Sequence, residues 1–257
     1  MRRMVCLFTL VFTLGWSGSL PAAAPEVIWA GGGLKLSDNS NPCFFADTFV
    51  LLQQDDGMSL FTQPVLTLKG GEVGFDLGLG GRSLLMGDQL AGGWNVFFDY
   101  TSDNSHKRFG AGLEVFHPNA TGHLNFYLPV SNEEGGQEAL AGMDFQLGVP
   151  LPNAAFISIR PGFYYYSGED DENKSGISLA LRIQPIRPLA LTIGGRNDAL
   201  QSGRDTSEIF VRVDFAIPFD RLGRDLFQPY RPEYPLDVRT LLDARVVREE
   251  FITYERK

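Results

Sequence analysis

From Val73 to Val130 the chain is a succession of strand-like segments with little between them: VGFDLGLGGR, QLAGGWNVFFDY, KRFGAGLEVFH and TGHLNFYLPV. Trp94, Val96, Phe98 and Tyr100 alternate with Gly93, Asn95, Phe97 and Asp99, so a period of two sets an apolar row against a mostly polar one. In the next segment Phe109, Ala111, Leu113 and Val115 stand against Arg108, Gly110, Gly112 and Glu114. In the one after, Leu124, Phe126 and Leu128 stand against His123, Asn125 and Tyr127. A soluble sandwich would pack such apolar rows against a second sheet. Here the polar rows mix charge with glycine, and the segments run to about ten residues, the length of a tilted membrane strand. The pattern predicts an all-β fold, an antiparallel transmembrane β-barrel whose apolar rows face lipid.

The same alternation extends in both directions. Before the central stretch it predicts strands over Val27–Leu36, Asp47–Gln53 and Met58–Leu68, and the first central strand spans Glu72–Gly81, with Val73, Phe75, Leu77 and Leu79 outward. After it come Leu140–Val149, Ala155–Tyr166, Gly176–Gln184, a strand through Leu189, Leu191 and Ile193, and one ending Ile209, Val211, Val213, Phe215. Pro64 and Pro161 fall inside two of these strands and lack a ladder donor, so a bulge or gap is expected at Pro64 and a second irregularity at Pro161. The total is about twelve, an even number, as a bacterial barrel requires. Tyr164–Tyr166 is read as part of an interfacial aromatic girdle. Longer connections (Ser37–Ala46, Thr101–His106, Ser131–Glu138, Ser167–Lys174, Ala199–Arg204) follow odd strands, and short turns (Asp55–Gly57, His117–Asn119, Pro185–Pro188) follow even ones. The exceptions are the tight Lys69–Gly71 and the longer Arg82–Asp88. That asymmetry puts the acidic loops Ser131–Glu138 and Ser167–Lys174 outside the cell and both chain ends of the barrel in the periplasm.

The inward rows carry Glu72, Asp76, Asp99, Arg108, Glu114, Asp144, Arg160, Arg182, Arg196, Glu208, Arg212 and Asp214. Two arrangements would accommodate them: pairing across neighbouring strands around a solvated lumen, or pairing with an internal plug. Isolated wet pairs contribute only ~0–1 kcal/mol each, so for any single residue the cross-strand arrangement is the simpler expectation.

Arg2 and Arg3, the apolar run Met4–Trp16 and the small residues Ala22–Ala24 form the three regions of a secretory signal, placed at residues 1–24. The apolar run is too short for a spanning helix, and no later stretch could span as one. A membrane protein of this composition must therefore cross as a closed barrel, assigned to residues 25–215. Removing Arg2 and Arg3 leaves 20 Lys and Arg against 31 Asp and Glu, which moves the formal net charge from −9 to −11. Such an acidic chain is unsuited to nucleic acid. Cys43 is the single cysteine after the signal, so no intramolecular disulfide is possible.

GLGGR, GGWNVFFDY, KRFGAGLEVF and HLNFYLPVS resemble the β-domain of the inverse autotransporters, the intimin and invasin family. The run from Asp237 to Tyr254 resembles the segment that follows the barrel in that family, and the likeness covers Val27 to Lys257. Residues 216–257 form this post-barrel segment, in or near the lumen, with Leu236–Val247 expected to form a short helix and Glu250–Arg256 an extended piece. The resemblance implies a membrane anchor and translocation unit in the outer membrane, whose partners are outer-membrane lipid and the barrel-assembly machinery. In the family the tail crosses the lumen and leads to an extracellular adhesive passenger; here the sequence ends at Lys257, so adhesion does not carry over and no host receptor is indicated. Phe215 resembles the terminal aromatic read by the assembly machinery. A small porin-like channel with an acidic lumen, and a truncated adhesin, remain as alternatives.

Chemistry is not expected. His123 and Asn125 share a face and Ser131 follows, which invites comparison with an outer-membrane phospholipase, but both point into the lumen and no strained serine motif is present. Three scattered histidines and one mature cysteine make no metal site, and the glycines of GLGGR precede no helix that could cradle a phosphate. No cofactor is expected.

Overall fold

The computed structural model describes residues 24–86, 89–131, 135–168, 173–198, 207–219 and 226–256, so all of the predicted signal except Ala24 lies outside the described residues. The strands are β1 (Glu26–Ser37), β2 (Cys43–Asp55), β3 (Met58–Lys69), β4 (Glu72–Leu85), β5 (Leu90–Thr101), β6 (Lys107–His117), β7 (Ala120–Pro129), β8 (Gln137–Ala139), β9 (Ala141–Leu151), β10 (Ala154–Ser167), β11 (Lys174–Ile186), β12 (Leu189–Asn197), β13 (Ser207–Pro218) and β14 (Tyr254–Arg256). All but the short β8 and β14 form one closed antiparallel barrel of twelve strands, with β1 hydrogen-bonded to β13 from Trp29↔Pro218 to Ser37↔Phe210. First and last strands can close antiparallel only when the number is even, and closure leaves no edge to be desolvated in lipid.

The period of two sorts the side chains as the sequence predicts. Val73, Phe75, Leu77 and Leu79 on β4, Phe109, Leu113 and Val115 on β6, and Ile177, Leu179 and Leu181 on β11 are exposed on the outer face. Their neighbours point in, where glycine is needed beneath large rings: a Cβ at Gly78 would strike Phe97, and one at Gly80 would strike Phe61. Among the described residues no helix is long and apolar enough to cross a membrane.

Several local expectations change. Both internal prolines are accommodated by a gap on one side only. The β2–β3 ladder lacks pairs between Asp47↔Val65 and Val50↔Thr62, whereas Pro64 sits in register with Leu77 of β4. The β9–β10 ladder likewise skips from Ile159↔Val149 to Gly162↔Gln146, whereas Pro161 stays in register with Leu179 of β11. Arg82, assigned to a turn, belongs to β4, which shortens the anomalous connection to residues 86–89. The girdle assignment fails for two of its three tyrosines: Tyr164 and Tyr166 are buried inside, and only Tyr165 faces outward, because consecutive strand residues cannot share a face. β13 continues three residues past Phe215. The helix expected over residues 236–247 is a single 3-10 turn, Val238–Leu241, capped by the Asp237 side chain.

The two rims differ. The turn rim carries the connections 56–57, 86–89, 118–119, 152–153 and 187–188, together with the start of β1 and the end of β13. The opposite loop rim carries the remaining connections, including the one that contains β8.

Candidate functional site

The tail supplies what the wall alone lacks, a core. It leaves β13 at the turn rim, where the amide of Leu236 donates to the carbonyl of Pro118 at 2.9 Å. Val238 and Leu242 then pack on Ala91 and Phe116 just inside that rim, and Val246 enters a cluster with Trp29, Phe49, Phe61 and Phe97. At the loop rim the amide of Leu140 donates to Thr253 at 2.8 Å, and β14 pairs antiparallel with β8 through Tyr254↔Ala139, Glu255↔Glu138 and Arg256↔Gln137. The tail thus enters at one rim and emerges at the other.

Between these points the tail has no regular hydrogen-bonding partner strand, yet its backbone groups are removed from bulk water and must be paired. Wall side chains do this. Trp29 donates to the carbonyl of Asp243 at 2.8 Å, and Arg82 donates to those of Leu242 and Ala244 at 2.6 Å each. The amide of Val246 donates to Gln63 at 3.1 Å, and Asn125 donates to the carbonyl of Val247 at 3.0 Å. Tyr127 accepts from the amide of Glu249 at 2.8 Å, while Arg108 reaches the carbonyls of Glu249 and Phe251 at 2.8 and 2.9 Å.

Four charges on the tail meet opposite charges on the wall. Arg245 lies against Asp47 at 2.6 Å and Asp214 at 2.8 Å. Arg248 lies against Asp99 at 2.5 Å and Asp76 at 3.5 Å, with its guanidinium 4.2 Å from the Phe97 ring centre. Glu249 meets Arg196 at 2.8 Å and Glu250 meets Arg212 at 2.7 Å. Charge-assisted, two-pronged contacts of this kind fix position as well as adding energy.

Of the twelve residues singled out in the sequence, Asp76, Asp99, Arg108, Arg196, Arg212 and Asp214 contact the tail directly. Glu114 holds Arg82 at 2.9 Å, and Asp144 accepts from Asn125 and Tyr127 at 2.8 and 2.5 Å, so these two orient residues that grip the tail. Glu208 pairs with Lys35 at 3.2 Å and Arg182 with Asp214 at 2.9 Å, within the wall. Among the described residues Arg160 reaches only Gln146 and Ser158, at 3.4 and 3.5 Å, and Glu72 lines a cavity of about 70 Å³ near the loop rim. Cross-strand pairs therefore exist, but half of the set is turned to the tail.

The sequence reading missed Asp47, Gln63 and Arg82. Alternation could have found Asp47, which is out of phase with outward Phe44 on β2, and Arg82, which is in phase with Asp76 on β4.

The model of the inverse autotransporter beta-domain matches residues 37–225. The chain belongs to that family. It is a family of non-enzymatic barrels, and its members are anchored in the outer membrane, where this barrel faces lipid. Curated proteins yield no match. Among solved structures the inverse autotransporter barrel is similar to one from work on the mechanism of in-meso crystallization of membrane proteins, with 18% identity, 89% of this chain and 100% of that chain covered, and a TM-score of 0.74. It is also similar to the KdgM porin, with 8% identity, 73% of this chain and 98% of that chain covered, and a TM-score of 0.53. These likenesses concern the fold. An outer membrane phospholipase A from Escherichia coli reaches a TM-score of 0.46, with 10% identity, 79% of this chain and 94% of that chain covered. In this barrel Asn125 is engaged with Asp144 and the tail, His123 lies 3.6 Å from Glu114, and Ser131 meets His106 instead, at 3.3 Å.

Proposed function

We propose that this barrel is a translocation unit as well as an anchor, and that its tail is a polypeptide held in the act of crossing the outer membrane. The observation that carries this is the order of contacts: from Leu236 to Tyr254, successive tail residues meet successive levels of the wall, from turn rim to loop rim. On this reading the turn rim faces the periplasm, the loop rim faces the outside, and whatever is joined to the tail is displayed there. The barrel-assembly machinery inserts the barrel by reading β13 around Phe215. The wall residues that touch the tail act as a lock, and the chain performs no catalysis.

Bilayer recordings of the full chain and of a chain ended at Pro218 test the lock. The full chain should show a small conductance and the shortened one a larger conductance. Equal, large conductance from both would mean an open porin-like channel with a displaced tail. Fusion of an epitope after Lys257 tests display, which should be detected by antibody on intact cells.

A further inference from the structure

The tail does not fill the lumen evenly. On the wall built from β2 to β7 the inward charges are dry: Arg82 and Arg108 are 0% exposed, and Asp47, Asp99 and Glu114 scarcely more. On the wall built from β11 to β13 the inward side chains of Arg182, Arg196 and Arg212 are 24%, 31% and 21% exposed. These three alternate with Leu181, Ile193 and Val211, which face lipid, so the solvent they touch is inside the barrel.

Side-chain size explains the difference. The dry wall carries Phe49, Phe61, Phe97 and Phe116, which meet the tail, whereas the inward rows of β10 to β12, apart from Tyr164 and Tyr166 toward the loop rim, carry the small residues Ser158, Gly162, Ser178, Ala180, Thr192 and Gly194. A cavity of about 80 Å³ lies on this side, bordered by Gln146, Ser178 and Arg196 on the wall and by Val247 and Glu249 on the tail.

Arg196 and Arg212 on this wall are answered by Glu208, Glu249 and Glu250, but positive charge is left over at the level of Arg160 and Arg182. Asp214 is shared by Arg182, Arg212 and Arg245, and Arg160 pairs with no carboxylate among the described residues. Arg160 and Arg182 are diagonal neighbours across the β10–β11 ladder, since Ser158 pairs with Arg182 and Arg160 with Ala180. Two guanidinia held this close in a narrow, protein-walled space raise the local anion concentration and repel cations.

We propose that the barrel, with its tail in place, keeps a water-filled passage along the β10–β13 wall that admits small inorganic anions in preference to cations, with Arg160 and Arg182 setting the preference. The passage is selective although the protein as a whole is acidic, because Glu208, Glu249 and Glu250 are engaged by Arg196 and Arg212, which leaves Arg160 without a carboxylate among the described residues.

The test is the reversal potential of the full chain in a planar bilayer under a potassium chloride gradient. The expected sign is that set by chloride, and replacing chloride with gluconate should reduce the current. Arg160→Gln with Arg182→Gln should move the reversal potential toward zero, whereas Arg160→Lys with Arg182→Lys should keep it. A cation-selective current, or a double glutamine variant with unchanged selectivity, overturns the assignment. So does a full chain that passes no current while the chain ended at Pro218 conducts, an outcome that leaves the lock reading standing. Should the glutamine variant fail to insert, the sign of the unmodified chain's reversal potential decides the matter alone.

Discussion

Arg82 shows how much one buried side chain can be asked to do. Its guanidinium pairs with Glu114, donates to two tail carbonyls and lies 4.7 Å from the Phe61 ring centre, all without exposure to solvent. Removing one member of a buried pair leaves the other charged and uncompensated, which costs about 3–5 kcal/mol, whereas replacing both costs much less. Arg82→Met should therefore lower the temperature at which the barrel loses its compact gel migration by more than the double variant Arg82→Met, Glu114→Gln does. Equal lowering by the two would show that the pair is not coupled. In the sequence Arg82 keeps phase with Asp76, but it closes the run GLGGR, where the side chains missing at Gly78, Gly80 and Gly81 leave that count of two as the one sign that the strand continues.

At the scale of elements, strand order and facing were legible because lipid outside and a polar interior impose opposite demands on adjacent residues. Leu179 and Ser178 of β11 state that rule: the first is exposed to lipid, the second turns to the lumen. Leu179→Asp should reduce the folded, heat-modifiable fraction far more than Ser178→Asp, since only the first places a carboxylate in hydrocarbon. Equal damage would contradict the facing assigned to β11. What alternation could not reveal is the tail. Its partners are side chains such as Asp47 and Arg108, 198 and 143 residues away along the chain, and contacts of that range leave no period in either segment. The pairing of β8 with β14 was hidden for the same reason, each being three residues long. The tyrosines of β10 were misplaced because an aromatic cluster at a strand end suggests a girdle, while the stacking of Tyr166 on Tyr127 at 6.0 Å uses the same residues inside.

For the whole molecule, the barrel and its interior form one stability problem. Twelve strands satisfy one another's backbones and stack wall rings such as Phe49 on Phe61 inside; the tail adds Val238, Leu242 and Val246 to the rings of the wall, and four charges to their counterparts. Family membership and membrane class could be read from the strands and their motifs alone. The lock could not, since the inward charges allowed either a wet pore or a plug until the tail was placed among them. The central claim is that the tail crosses the outer membrane inside the barrel, and site-directed labelling tests it most directly. On a Cys43→Ala background, a cysteine at Arg256 should react on intact cells with a thiol reagent too large to pass the outer membrane. One at Glu233, exposed near the turn rim, should react only after that membrane is broken. Protection of position 256, or labelling of position 233, on intact cells would contradict the crossing.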